Sequence, residues 1–298
     1  MSTIEKDQNH SLLDEVSIDE SKINELIEKY DAESRYRKLT GLQGKFITAW
    51  LCAMSLFHLY TAGIATMPIT IQRAIHLTFA IVAVYILFPA GRKGSKTSTP
   101  IYDWILAVIS GGVIGYIIFF FNDIARRGAE PLPYEIWLGI AAIILVLEAG
   151  RRVVGNVLPC MSILFLLYCR FGYMVPGMFQ IRGYTLSRII QHMYLTPEGI
   201  FGLALGVSAT FVIVFIIFGA FLSQSGGARF FNELALAVAG GTPGGPAKVA
   251  VVASGLLGTI NGSSVANVAT TGTFTIPLMK RVGYPPHYAG AVEACAST

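Results

Sequence analysis

Formal charge runs short after the opening stretch of this 298-residue chain. Ten of its 18 Asp and Glu residues lie in the first 33 positions, which leaves eight for everything that follows. Only 13% of the residues are charged and 53% are hydrophobic, where a soluble domain carries about 25% charged residues. That scarcity excludes an ordinary soluble core and points to a polytopic membrane protein with a polar amino-terminal tail. Cysteine pairing is also missing. Cys52, Cys160, Cys169 and Cys295 all sit in apolar segments without a Cys-x-x-Cys spacing, so neither a disulfide framework nor a thiolate metal site is indicated. The five histidines are scattered, with no His-x-x-x-His motif and no accompanying pair of carboxylates. No nucleophile with its base is in view, so the chain reads as no enzyme and as needing no cofactor. His58 and His76 read as buried or interfacial. The net charge of +4 belongs to loops and gives no reason to expect a nucleic-acid partner.

The tail, residues 1–45, lacks the basic start and apolar core of a signal peptide. Ile18, Ile23, Leu26, Ile27 and Tyr30 are spaced for a short amphipathic helix. Beyond it, stretches of about 20 apolar residues mark candidate membrane spans. Six are legible, at about Phe46 to Ala65, Ile71 to Phe88, Trp104 to Phe121, Tyr134 to Gly150, Val157 to Val175 and Phe201 to Leu222. The fold class expected is therefore an all-α polytopic membrane protein with about six transmembrane helices. Basic residues set the orientation. Arg35, Arg37, Lys38 and Lys45 precede the first span, Arg92, Lys93 and Lys96 follow the second, and Arg151 and Arg152 follow the fourth. Those loops share a side if the amino terminus is cytoplasmic. Arg126 and Arg127 fall on the other side, offset by Asp123, Glu130 and Glu135. Two polar-interrupted segments, Gly183 to Gly199 and Gly226 to Gly240, fit helices that lie along the membrane surface or brace their neighbours.

What stands out is a break inside the last apolar run. From Val249 to Met279 there are 31 residues without a formal charge, interrupted near the middle by Asn261-Gly262-Ser263-Ser264. One helix of that length would measure about 46 Å against a hydrocarbon core of about 30 Å, while two crossings would need roughly 40 residues. Asn-Gly is a turn dipeptide, and Lys248 enters the run while Lys280 and Arg281 leave it. These features describe a re-entrant helical hairpin at about 247–280, with both ends cytoplasmic. The first half-helix is expected to end near Ile260 and the second to start near Ser264 or Val265. Their facing ends offer unpaired carbonyls on one side and unpaired amides on the other, the arrangement from which secondary transporters build ion and substrate sites. Asn261, Gly262, Ser263, Ser264, Asn267, Thr270 and Thr271 are the candidate binding residues. Their neutral oxygens suit Na⁺ better than a transition metal, with Ser263 and Ser264 the Na⁺ candidates. Gly, Ser and Thr also line close helix contacts, so packing remains the alternative role. "GGTPGGPAK" (Gly240 to Lys248) fails as a phosphate loop, having Ala247 before the lysine and no hydroxyl after it, and reads as a connector.

"EAGRRVVG", "GVSATFVIVFIIFGAFLSQSGG" and the stretch from "GGPAKVAVVASGLLGTINGSSVANVATTGTFTIPLMK" to "RVGYPPHYAGAVEACAST" together resemble the tripartite ATP-independent periplasmic (TRAP) transporters. The likeness is greatest to fused permeases that work with a TAXI-type binding protein, in detail over Pro133 to Thr298 and by hydropathy alone over Phe46 to Phe121. It implies a small-subunit-like scaffold at 46–178 and the beginning of a large-subunit-like transport region at 179–298. It further implies an elevator-type carrier in a bacterial or archaeal cytoplasmic membrane. Na⁺ is the implied coupling ion, an organic anion such as a carboxylate the substrate, and an extracytoplasmic binding protein the partner. Family members continue past "EACAST" into a second hairpin and an inverted repeat, so this chain is expected to be the amino-terminal part of a longer permease. A channel-like or accessory subunit with a re-entrant loop is the rival expectation.

Overall fold

The computed structural model describes residues 36–91, 95, 97–260 and 264–298. The tail, with its expected amphipathic helix, lies outside them, as do Arg92, Lys93 and Lys96. All regular structure among the described residues is helical. In chain order it comprises α1 (Gly41–Gly63), α2 (Ile69–Leu87), α3 (Ile101–Arg126), α4 (Pro133–Val153), α5 (Val157–Phe171) and α6 (Leu186–Ile190). After these come α7 (Leu203–Val207), α8 (Ile213–Gln224), α9 (Gly227–Ala239), α10 (Gly245–Gly258), α11 (Ser264–Arg281) and α12 (Pro286–Ala296). Among the described residues five stretches are long and apolar enough to cross a membrane: α1, α2, α3, Val157–Met174 and Leu203–Leu222. The segment expected as the fourth span is α4, a helix of 21 residues that is not among those five. It carries Glu135, Glu148, Arg151 and Arg152 and buries Gly139, Ala142, Leu145 and Ala149 along one face.

By contacts the described chain divides into two compact units, 36–214 and 215–298. In the first, α2 and α3 pack along their length, and Ile81, Tyr85, Ile86, Ile114 and Ile117 are buried between them and α4. Buried and half-buried aromatic residues find partners for their polar atoms, as they must away from water. Tyr85 Oη donates to the Leu145 carbonyl at 2.8 Å and Trp50 Nε1 to that of Phe79 at 3.0 Å. Tyr194 Oη donates to the Val113 carbonyl. The segment from Gly183 to Gly199 braces rather than floats. It forms α6 and a π-helical turn, Gln191–Leu195, and its Ile190, Tyr194 and Leu195 enter the core. Gly139 of α4 makes room, since a Cβ there would collide with Ile190 Cγ2.

Charge at one end of this unit is buried rather than solvated. Asp103, at the start of α3, is fully buried and takes Arg37 at 2.6 Å on one oxygen and Arg152 at 2.7 Å on the other. Arg37 also donates to the carbonyls of Tyr85 and Ile86 at the end of α2, and Arg152 to that of Phe88. Glu148 binds Arg151 and Arg152. The chain before α1, the end of α2, the start of α3 and the end of α4 are thus fastened together. That is the geometry an alternating path through a bilayer requires. At the opposite ends of α3 and α4, Arg127 forms two bonds to Glu135, at 2.9 and 2.5 Å. Hydrogen bonding to that carboxylate holds the Arg127 guanidinium well above its ordinary pKa. This basic residue, which counted against the orientation rule, is neutralised by its partner.

Both expected buried histidines are buried, and they touch. His58 Nδ1 lies 2.7 Å from the Met54 carbonyl, His76 Nδ1 lies 2.9 Å from His58 Nε2, and His76 Nε2 lies 3.1 Å from Ser208 Oγ. A carbonyl can only accept, so the chain of bonds has one direction, from Ser208 through His76 and His58 to Met54. Ser208 opens a π-helical turn, Ser208–Val212, between α7 and α8.

In the second unit α9, α10, α11 and α12 pack closely through small side chains. Ala235, Ala239, Val249 and Ala253 make one core cluster, and Ala250, Met279 and Ala289 another. Small residues at helix contacts let backbones approach where apolar burial alone gives no preference. Helix α9 is amphipathic, with Ala235 and Ala239 buried while Phe230 and Val238 are exposed, as suits a helix lying along a membrane surface.

Candidate ion and substrate site

The broken run folds as two antiparallel arms. Ala247 and Ala250 of α10 pack with Met279 of α11 and with Tyr284 just beyond it. Nearer the tip, Ser254 meets Asn267 and Thr271, and Gly258 lies beside the Asn267 side chain. The outer ends, Lys248 and Arg281, are both exposed. At 14 and 18 residues the arms measure about 21 and 27 Å, each short of a hydrocarbon core of about 30 Å. Local sequence accounts for the breaks. Gly244 has φ 74° and Pro246 stands in the first turn of α10, where the missing N–H of proline costs nothing. The glycine-rich connector therefore ends at Gly244, and its last four residues already belong to the helix.

Around the tip, α10 ends at Gly258 and α11 begins at Ser264, within two residues of the expected ends. Asn261, Gly262 and Ser263 lie outside the described residues. Helix α8 runs beside the base of the tip. A Cβ on Gly219 would come within 2.9 Å of Ile260 Cγ2 and 3.2 Å of its carbonyl oxygen, so glycine there permits close backbone approach.

The remaining candidates separate by burial. Ser264 and Thr270 are exposed, whereas Asn267 and Thr271, four residues apart, are buried toward α10 and α12. They belong to a polar interior that sequence reasoning only partly foresaw. Asn267 Nδ2 donates to the Ser254 carbonyl at 3.0 Å, and Thr271 Oγ1 to the Asn267 carbonyl at 2.8 Å. Thr275 Oγ1 lies 3.0 Å from the Thr271 carbonyl. At the centre is Glu293 of α12, fully buried, whose two carboxylate oxygens take the hydroxyls of Thr271 and Thr275. Ser254 Oγ is 3.2 Å and Ser297 Oγ 3.4 Å from the same carboxylate. Gly272 allows the contact, since a Cβ there would sit 3.3 Å from Glu293 Cγ. Ser254, Glu293 and Ser297 were missed. The available signal was that Glu293 is the single carboxylate after Glu233 in the sequence. No cluster of three His, Cys, Asp or Glu occurs among the described residues, so the site's chemistry is that of hydroxyls, an amide and one carboxylate.

Compared with known proteins, residues 141–298 match the family described as tripartite ATP-independent periplasmic transporter, DctM component. The chain is 32% identical over 145 residues to the C4-dicarboxylate TRAP transporter large permease protein DctM of Pseudomonas aeruginosa, covering 46% of this chain and 34% of that one. It is 34% identical over 83 residues to the uncharacterized protein YgiK of Salmonella typhimurium, covering 28% of this chain and 19% of that one. The chain thus spans about a third or less of the length of these relatives. No solved structure matches it. With the matched stretch running from α4 through the hairpin to α12, the chain belongs to the tripartite ATP-independent periplasmic transporter family, as a membrane component of the DctM type.

Proposed function

We propose that this chain forms part of a Na⁺-coupled secondary transporter that takes up an organic anion handed over by an extracytoplasmic binding protein. The observation that carries the reading is the antiparallel pair α10 and α11, short helices on either side of the Asn-Gly-Ser sequence that enclose a polar interior. Broken helices of this kind present helix ends, carbonyls and hydroxyls where ions and anionic substrates can replace their water. The name of the Pseudomonas aeruginosa relative supports a carboxylate as the substrate class. On this reading residues 46–178 act as the small-subunit scaffold of a fused permease, the binding protein is of the TAXI type, and the amino terminus is cytoplasmic. The transport region moves as an elevator against that scaffold, and the membrane is the cytoplasmic one.

The test is uptake of radiolabelled dicarboxylates into proteoliposomes carrying a permease that contains this chain, with purified binding protein outside. Uptake is expected to require both the binding protein and an inward Na⁺ gradient. Flux that ignores both would indicate a channel-like subunit instead. Ser264 opens α11, where its hydroxyl can replace part of the hydration shell of Na⁺. Replacing it with alanine is expected to weaken Na⁺ binding by about 1–3 kcal/mol, a rise of about five- to 150-fold in the Na⁺ needed for half-maximal uptake. An unchanged Na⁺ titration in a normally inserted Ser264→Ala protein would leave the tip as packing.

Re-entrance has its own check. Cysteines placed singly at Lys248 and Arg281, in a background without the native four, are expected to react with a membrane-impermeant maleimide from the same face. Reaction from opposite faces would mean one tilted span and remove the basis for the site.

A further inference from the structure

Glu293 presents a problem of charge that its hydrogen bonds do not solve. The carboxylate is 0% exposed, and among the described residues no Lys, Arg or His pairs with it. A buried ion without a counter-charge is costly even where every lone pair is occupied, because neutral donors satisfy hydrogen bonding but leave the net charge in place. The donors are themselves overcommitted, since each hydroxyl has a single proton. That of Thr271 is also within reach of the Asn267 carbonyl, and that of Thr275 within reach of the Thr271 carbonyl. Ser254 Oγ has Thr271 Oγ1, Glu293 and Ser297 Oγ all at 3.2 Å. The helix dipole deepens the deficit. Glu293 stands in the last turn of α12, at the negative end, where a cation is favoured and an anion is not.

A second observation comes from α11. Asn267 is 3% exposed, and its Oδ1 is a buried acceptor without a hydrogen-bond partner among the described residues. Its amide nitrogen is held by the Ser254 carbonyl and its own carbonyl takes the Thr271 hydroxyl, so it is tied to two residues that touch Glu293. The interior between the arms and α12 therefore offers one formal negative charge, four hydroxyl oxygens from Ser254, Thr271, Thr275 and Ser297, and one orphaned amide oxygen.

The geometry points to a monovalent cation site, taken by Na⁺, between α10, α11 and α12, with Glu293 as its charged ligand and Asn267, Ser254, Thr271 and Thr275 as its neutral ones. Hard oxygen donors exclude a soft transition metal. A single carboxylate matches one positive charge, whereas a protein site for a divalent ion gathers several charged or carbonyl oxygens around it. This site lies along the arms, distinct from the serines of the tip. It deepens the Na⁺-coupled reading, yet its test needs no transport.

The experiment is thermal unfolding of the purified chain in detergent, titrated with NaCl at ionic strength held constant by choline chloride, with KCl as a control. The wild-type protein is expected to be stabilised by Na⁺. In Glu293→Gln, nearly the same shape without the charge, the midpoint should rise by at least about tenfold, the lower end of what loss of a mere supporting partner costs a metal site. Thr275→Val should raise it by a smaller factor and Thr275→Ser should restore it, which a fold-disrupting side effect would not do. Absence of any Na⁺ effect on the wild type, or an unchanged midpoint in Glu293→Gln, overturns the proposal. So does a Na⁺-independent protein that is stabilised on acidification in the wild type but not in Glu293→Gln, since a proton would then be the neutralising cation. Na⁺-driven uptake with an unaltered Glu293→Gln midpoint would sink this site and spare the transport reading. A Glu293-dependent midpoint without Na⁺-driven uptake would do the reverse.

Discussion

Replacing Asp103 with alanine is expected to cost about 3–5 kcal/mol, the range for removing one partner of a buried ion pair. The loss here strands two cations at once. Arg37 and Arg152 have side chains 0% and 1% exposed, and neither can reach water without repacking the ends of α2 and α4. Backbone carbonyls of Tyr85, Ile86 and Phe88 would still accept from them, but carbonyls bring no negative charge. Glu148 would be left to balance Arg151 and Arg152 while Arg37 had no acid at all. Thermal unfolding of the detergent-solubilised protein measures the effect, with Asp103→Asn as the variant that keeps the shape and loses the charge. A melting curve for Asp103→Ala within about 0.5 kcal/mol of wild type, as surface changes give, would show that this network contributes nothing.

Replacing Gly262 with leucine is expected to abolish transport. Helix α10 ends at Gly258 and α11 starts at Ser264, so the chain reverses direction within five residues. A reversal that tight calls on conformations or close approaches that glycine supplies at little cost. Leucine would add a bulky side chain where ion and substrate are proposed to meet. Initial uptake rates in proteoliposomes, normalised to inserted protein, read the outcome. Wild-type rates with wild-type Na⁺ dependence in Gly262→Leu would mean that the tip is remote from the transported species.

Much of this fold is legible because lipid imposes a simple rule of length and polarity. The spans at α1, α2, α3 and α5 follow from apolar run length alone, and the hairpin from a run too long for one crossing and too short for two. Helix α4 is the instructive exception. Its apolar middle reads as a span, yet Glu135, Glu148, Arg151 and Arg152 stand toward its two ends, where Glu148 pairs with Arg151 and Arg152 three and four residues on, Glu135 with Arg127, and Arg152 also with the distant Asp103. The site divides on the same ground. Asn267 and Thr271 belong to a conspicuous polar stretch, and their spacing of four puts them on one helix face. Thr270 shares the stretch but not the face, and Ser264, seven residues before Thr271, shares the face but is exposed at the start of the helix. Ser254 and Glu293 enter the site from other helices, so only tertiary packing brings them in. Ser208 is hidden for the same reason: nothing in its neighbourhood announces two imidazoles, edge to face and hydrogen-bonded, the nearer of them 132 residues upstream at His76.

The position of Glu293 has a mechanical consequence. Its carboxylate is held by a hydroxyl from α10 and two from α11 while its own backbone belongs to α12. Prising the arms apart would break those bonds and leave a buried carboxylate without its donors. The easy deformation of this unit is consequently not a hinge at the tip. The three helices are fastened to one another through this one carboxylate, so a displacement of either arm is shared with α12.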